Sequence, residues 1–494
     1  MKYRSTRSGE TVSAAEALVK GLAGDGGLYV PEKLPEGFLK AEDLLALSYE
    51  ELAAKVLSCY LTDIPEEDLR KLTHAAYTGT FETEEIVPVK KISDELSMAE
   101  MFHGRTCAFK DLALSLFPHL LVYAGGTQEK GKEILILTAT SGDTGKAALE
   151  GFRDVPGIHI MVFYPSDGVS PLQKDQMQKQ PGKNVKVLGI HGNFDDAQGT
   201  LKQVFGSELR KRCEEKGVLF SSANSINIGR LLPQVVYYVW IWLSLLRNHT
   251  IREGESFHVA VPTGNFGNIL AAWMAKKAGV PIGRLICASN KNKVLADFFE
   301  TGTYDIRREF YLTEAPSMDI LISSNFERFL YFMTGSAEET AESMQELKEK
   351  GIYSVSPAVR EKISAEMEGG WASPEEMEKA MEVLYREKGY LMDPHTAVAY
   401  SVYEKKKEQG KLPGHTVIIS TAHPYKFPGI TAKALGLEPK ENAYDTLRMI
   451  RDKTGMEIPD QLGALETCPV RFSETVDREN MAEEIAGYAD SIID

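Results

Sequence analysis

Cysteine is scarce in this chain. Five are spread through 494 residues, at Cys59, Cys107, Cys213, Cys287 and Cys468, with no CxxC pair and no zinc-ligand spacing. That pattern offers neither a disulfide framework nor a structural metal site, so no metal ligands are assigned and reduced thiols in a cytoplasmic protein are expected. A basic surplus is missing too: 56 Lys+Arg stand against 71 Asp+Glu, a net charge of −15. Such a balance argues against nucleic acid or an anionic membrane as partner, although an anionic small substrate would still need a local positive pocket. Long apolar runs are lacking. The most apolar stretch, "VVYYVWIWLSLL" near 235–246, is too short and too close to charges to span a bilayer, and reads as a buried helix. The opening "MKYRSTRSGETVS" has no apolar core of a signal peptide.

What is present is enough apolar residue, 43%, to bury a sizeable core in two or three domains. Residues 1–85 read as a helical N-terminal domain, since "SAAEALVKGLA" and "SYEELAAKVLSCYL" carry apolar residues at helical spacing around a Gly/Pro-rich turn. From about 86 to 440 aliphatic runs alternate with helical stretches: "KEILILTAT", "HIMVFYP", "KVLGIHG", "FHVAVPTG" and "HTVIIST". Continuous apolar strands joined through helices predict an α/β architecture, mostly parallel sheets covered on both faces. Within this core a small mobile lobe is expected at about 125–235 and a charge-rich helical insertion at about 336–390, leaving 441–494 as a C-terminal extension.

Three loops carry chemistry. In "VPTGNFGNILAAW" a strand runs through Gly264, Asn265, Phe266, Gly267 and Asn268 into a helix, where backbone N–H groups and the helix dipole favour an anion. The loop lacks the GK[ST] of a nucleotide-phosphate loop and the GxGxxG of a dinucleotide site, which points to a phosphate outside a nucleotide. A glycine turn serving tight strand–helix packing is the alternative. "TATSGDTGKAAL" places Thr140, Ser141, Gly142 and Thr144 at another helix start, suiting a carboxylate or second phosphate, or only capping the helix. "NSINIGR" adds Asn224, Ser225 and Arg230, donors able to grip phosphate oxygens.

Lys110, in "HGRTCAFKDLAL", lies beside Ala108 and Phe109 at the start of an apolar helix. Partial desolvation there lowers an ammonium's pKa and frees a nucleophilic amine; a lysine snorkelling from a helix end is the competing reading. Pyridoxal 5'-phosphate unites these features, since it needs a lysine for its aldehyde, a phosphate cup and a polar partner for its ring nitrogen.

The motifs "HGRTCAFKD", "TATSGDTGKAA", "NSINIGR", "PTGNFGN", "SSNFERFL", "DPHTAVAY" and "STAHPYKFP", with the leader "YRSTRSGETVSAAEALVKGLAGDGGLYVP", resemble threonine synthases of the bacterial and fungal type. That family is similar to the tryptophan-synthase-β group of pyridoxal-phosphate enzymes, fold type II, with two α/β lobes. The resemblance implies conversion of O-phospho-L-homoserine and water to L-threonine and phosphate, by γ-elimination and β-replacement. It implies cofactor linkage to Lys110, a cofactor phosphate on Gly264 to Asn268, and a ring nitrogen facing the Thr421 hydroxyl. The substrate carboxylate would lie on Thr140, Ser141, Gly142 and Thr144, and its phosphate on Asn224, Ser225 and Arg230, with Thr144 able to reach either. Lys110 would move protons at Cα and Cβ.

Two positions depart from the family pattern. Arg105 stands where proline is usual, adding a cation near Lys110, and Asp143 stands where the wider group has asparagine beside the cofactor's phenolic oxygen. An ionised Asp143 would repel that oxygen, so it either turns away or shares a proton. His103, His395 and His423 also fall in motifs, as cofactor supports or packing residues, and Asn325, Phe326 and Arg328 either line the cleft or begin a core helix. A phospho-lyase releasing keto acid and ammonia would use the same groups, and a silent phosphometabolite-binding module would not need an imine-forming lysine. Oligomeric state, monomer or homodimer, is left open.

Overall fold

Glu133–Ala139, with the sequence EILILTA, is buried along all but its first residue. It needs that composition because it lies in the middle of a sheet covered on both faces. In the computed structural model, which describes residues 1–128 and 131–493, this strand belongs to a five-stranded parallel sheet ordered Thr475–Asp477, Val185–His191, Ile158–Pro165, Glu133–Ala139, Val218–Ser221. Glu129 and Lys130 of the expected small lobe and Asp494 of the C-terminal extension lie outside the described residues.

A second sheet of six strands runs Met367–Trp371, Ile282–Ser289, Phe257–Pro262, Thr416–Ser420, Leu96–Glu100, Val89–Lys91. All pairings are parallel except the last, where Val89–Lys91 is antiparallel to its neighbour. The apolar helix Ile228–Arg247 packs between the sheets and the N-terminal helices. It is long and apolar enough to cross a membrane, yet 94% of that span is buried inside the protein.

Three segments differ from the expectations drawn from sequence. The N-terminal region holds an antiparallel sheet, Thr11–Ser13, Lys2–Ser5, Tyr29–Pro31, as well as helices. Its strands have only three or four residues, too few for period-two patterning to register. The segment at 336–390 is not solely helical, because Met367–Trp371 joins the six-stranded sheet. Residues 475–477 return to the edge of the five-stranded sheet.

The C-terminal ends of these parallel strands position the site. Thr140 to Thr144 follow Glu133–Ala139, Asn224 to Arg230 follow Val218–Ser221, Gly264 to Asn268 follow Phe257–Pro262, and Thr421 follows Thr416–Ser420. Lys110 lies beyond the end of Leu96–Glu100. Crevices at such strand ends are where open α/β sheets bind ligands.

Candidate active site

One cavity gathers most of the expected residues. Lys110, Ser141, Thr144, Asn224, Ser225, Arg230, the whole run Gly264 to Asn268, and Thr421 line it. The loop before Lys110 is stitched to the loop carrying Thr421: Phe109 N donates to Thr421 O at 2.8 Å and His423 N donates to Cys107 O at 3.0 Å. Cys107 adopts φ 58° to make that turn, and Asp111 accepts from Thr106 N at 2.8 Å and Thr106 Oγ1 at 2.6 Å. Lys110 is thereby fixed over the cavity, buried, and its amine is pushed down to about 8, chiefly by burial against the opposing pull of Asp143; Arg230 and Lys426 push the same way as burial.

The cup opposite is the N-terminus of the helix Gly267–Ala278, entered through Phe266 at φ 63°. A Cβ at Gly264 would stand 2.3 Å from Ser317 O, so only glycine lets these backbones meet. Ser323 Oγ donates to Gly264 O at 2.6 Å, and Asn325 donates to Asn265 O from its backbone N at 3.1 Å and from Nδ2 at 3.0 Å. The "SSNFERFL" segment therefore braces the cup from behind. Asn268 Oδ1 accepts from the hydroxyls of Tyr237 and Tyr238, each at 2.6 Å, while its Nδ2 is buried without a partner among the described residues. Arg230 Nε is likewise buried and unpartnered, and burial lowers that guanidinium to about 10. A buried donor without an acceptor is costly, and two on side chains that line one cavity make an anion the fitting occupant. The hydroxyls of Ser141, Thr144, Ser225 and Thr421 also reach no protein partner among the described residues.

Three expected contacts fall outside the cavity wall. Thr140 Oγ1 accepts from Gly142 N at 2.9 Å and Gly145 N at 2.7 Å, which makes it a brace of its own turn. Gly142, at φ 128°, faces Gln173. Asp143 points away to Lys426 Nζ at 2.7 Å and accepts from Gln173 Nε2 at 2.8 Å, with Lys110 Nζ 3.8 Å from its other oxygen. Burial alone would raise this carboxyl, yet the ammoniums of Lys426 and Lys110 and the Gln173 amide hold it well below the usual carboxylate range. Asp143 therefore stays ionised and shares no proton. Asn224 lines the cavity, but its amide is committed to Ala139, accepting from N at 3.1 Å and donating to O at 2.7 Å.

Of the motif histidines only His395 lines the cavity, where its Nε2 accepts from Ser317 N at 3.1 Å and its Nδ1 pairs with Asp393 at 2.8 Å. His103 pairs with Glu100 at 2.9 Å, and His423 accepts from Tyr425 N at 3.2 Å. Arg105 is exposed and lines a separate cavity with Asp111, His119 and Glu150. Sequence reasoning missed Phe194, Gln234, Ser317 and Met318 on the wall, and Lys426 behind it. Lys426 belongs to the motif "STAHPYKFP", five residues after Thr421, but nothing in that spacing discloses a buried partner on another lobe.

Comparison with known families agrees along the chain. Residues 2–77 match the family "Threonine synthase N terminus", 85–422 match "Pyridoxal-phosphate dependent enzyme", and 396–485 match "Threonine synthase, C-terminal". The human protein Threonine synthase-like 1 is 39% identical over 439 residues, 86% of this chain; the chain spans only 58% of that relative's length. Threonine synthase of Saccharomyces cerevisiae is 35% identical over 465 residues, covering 88% of this chain and 89% of the yeast protein. The crystal structure of pyridoxal-phosphate-bound threonine synthase from Brucella melitensis superposes with a TM-score of 0.85 at 35% identity, covering 99% of each chain.

Proposed function

The chain belongs to the threonine synthases, within the pyridoxal-phosphate-dependent enzymes, and from that premise we propose that it converts O-phospho-L-homoserine and water to L-threonine and phosphate. The residues present fit the cofactor. An amine of lowered basicity, an anion cup with the orphaned Asn268 Nδ2, and a free Thr421 hydroxyl converge on one cavity. Bound pyridoxal phosphate supplies a sink for the electrons released when protons leave the substrate's carbon chain.

Each side chain then has a task. Gly264 to Asn268 would hold the cofactor phosphate, the Thr421 hydroxyl would serve its ring nitrogen, and Lys110 would take its aldehyde. A hydroxyl partner in place of a carboxylate would leave that nitrogen largely unprotonated, which would suit elimination and replacement better than transamination. Ser141 and Thr144 receive the substrate carboxylate, and Ser225 with Arg230 receives its phosphate, whose charge satisfies the buried Nε. Lys110, about half neutral near pH 8, takes the proton from Cα and later serves Cβ. Asn224 shapes the phosphate loop through its two bonds to Ala139. Asp143, Thr140 and Gly142 support the turn and the lysine from outside the cavity.

The observation that carries this reading is the placement of Lys110 against the cup and beside the free Thr421 hydroxyl. Borohydride reduction followed by peptide mass mapping should find the pyridoxyl adduct on Lys110, and phosphohomoserine should yield threonine and phosphate. Lys110→Ala should abolish the adduct and lower turnover by at least about 10²-fold, the low end of what a positioned acid–base group contributes. Keto acid and ammonia in place of threonine would move the assignment to a phospho-lyase. A protein that binds phosphohomoserine but takes up no pyridoxal phosphate would be a binding module.

A further inference from the structure

Lys426 is a fully enclosed charge beside the site. It is 0% exposed, and its ammonium lies 2.7 Å from Asp143 Oδ1 and donates to Thr106 O at 2.8 Å. Gln173 Nε2 takes the same carboxylate oxygen at 2.8 Å, leaving Oδ2 to Lys110 at 3.8 Å and Ser317 Oγ at 3.4 Å. Two cations therefore share one anion inside the protein. The second cation matters at one moment of the chemistry, when Lys110 is neutral. Asp143 would then be a buried carboxylate facing an uncharged amine, an arrangement costly enough to keep the proton on Lys110 or drive it onto the acid.

Resting on Lys110 as the cofactor lysine, we propose that Lys426 is a positioning residue: it is the permanent counter-ion of Asp143, and so lets Lys110 lose its proton without leaving a buried carboxylate unpaired. With Lys110 protonated the trio carries one positive charge, and with Lys110 neutral it carries none. Both states are tolerable in a low-dielectric site, whereas without Lys426 the neutral-amine state would carry an isolated negative charge. Other charges meet the same groups. Lys110 also faces Asp111 on its own helix and Arg230 from Ile228–Arg247. The field of Lys426 also reaches Cys107, Asp111, Lys146 and His423. Asp111 does not replace Asp143 as the partner of the ammoniums, because its two oxygens are taken by Thr106 N at 2.8 Å and Thr106 Oγ1 at 2.6 Å.

The test measures the Lys110 amine directly. Full-length protein stripped of cofactor is reductively methylated with formaldehyde across a pH series, and the Lys110 peptide is quantified by mass. The wild-type midpoint is expected near 8. In Lys426→Met it should rise by at least about one unit, about a fivefold slower labelling at the wild-type midpoint. Lys426→Arg, which restores the charge, should bring it back down. Lys426→Met with Asp143→Asn should return the midpoint to the wild-type value or lower, since the anion that needed compensation is gone. A folded Lys426→Met protein with an unmoved midpoint overturns the proposal and leaves Lys426 as a packing strut on Thr106. If Lys426→Met does not fold but the double variant does, the lesion is the uncompensated Asp143, as proposed. If neither folds, the role is structural and the proposal fails. The midpoint is measurable whether or not Lys110 is the cofactor lysine, so this result is separable from the adduct mapping above.

Discussion

Burial sets the charge states around Lys110, and its effect on His423 has a consequence for stability. The imidazole is pushed down to about 3 by burial, with His103 and Lys426 adding repulsion. The unfolded chain takes up this proton near pH 6.5 while the native protein refuses it until about 3. Between those values the unfolded state binds more protons, so stability is present in full above 6.5 and is lost as pH falls through the window, at about 1.4 kcal/mol per unit. His423→Asn, whose amide oxygen can still accept from Tyr425 N, should flatten the pH dependence of urea unfolding between about pH 6.5 and about 4.5, above most carboxylate titrations. A residual slope should remain from His119, His258 and His415, all lowered by burial. An unchanged slope in the variant would show that His423 is hydrated. Residues of this kind were legible only in part. Lys110 could be read because its apolar neighbours adjoin it in sequence, whereas the partners of Asp143 arrive from Gln173 and Lys426 on separate elements.

At the scale of elements, the cup depends on the meeting of two backbones. Because a Cβ on Gly264 would lie 2.3 Å from Ser317 O, Gly264→Ala must displace either the turn or the segment Pro316–Met318. Overpacking of that kind costs about 1–3 kcal/mol. If that cost falls on the loop, absorbance titration should find cofactor affinity weakened by about 5- to 150-fold while Lys110 remains competent for the adduct at saturation. An unaltered affinity would show that the cup does not hold the phosphate. The loops after central strands were readable because parallel strands buried on both faces are continuous apolar runs, so the polar, glycine-rich residues at the end of each run mark the loop. Edge strands gave no such signal. Met367–Trp371 reads MEGGW, and its Gly370 exists because a Cβ there would stand 2.4 Å from Val402 Cγ1 of the covering helix. Thr475–Asp477 has three residues, and its strand character comes from pairing with Val185–His191. Thr140 lies off the cavity wall, bracing its own turn, and its sequence carries no sign of that, since a hydroxyl before a helix caps or contacts ligand with the same sequence.

Across the whole molecule, Arg328 joins parts of the chain that the sequence keeps far apart. Its buried guanidinium donates to Tyr29 O of the N-terminal sheet at 2.9 Å, to Ser225 O at 3.3 Å and Ile226 O at 2.6 Å in the loop that follows Val218–Ser221, and to Asn325 Oδ1. Asn325 in turn holds Asn265 of the cup. Next to it Glu327 takes Arg7 through Nε at 2.8 Å and Nη2 at 2.7 Å, and Thr6 Oγ1 at 2.6 Å, fastening the N-terminal segment to the same helix start. The N-terminal region thus meets the loop 224–230 through Arg328, and again where Asn227 Nδ2 donates to Leu18 O at 3.0 Å. Arg328→Met keeps the apolar volume of the stem but leaves three buried carbonyls without this donor, each loss costing about 1–3 kcal/mol before relaxation. The stretch Ser225–Ile226 should loosen first, since two of these carbonyls lie there. The expected result is a rise in KM for the phosphorylated substrate of about tenfold, roughly one freed hydrogen bond's worth. Turnover at saturation should fall less, and faster hydrogen exchange should be confined to residues 2–31 and 224–230. Faster exchange throughout the core would instead mean that Arg328 only stabilises the fold. A KM unchanged from wild type would mean that the Ser225 loop is held in place without Arg328.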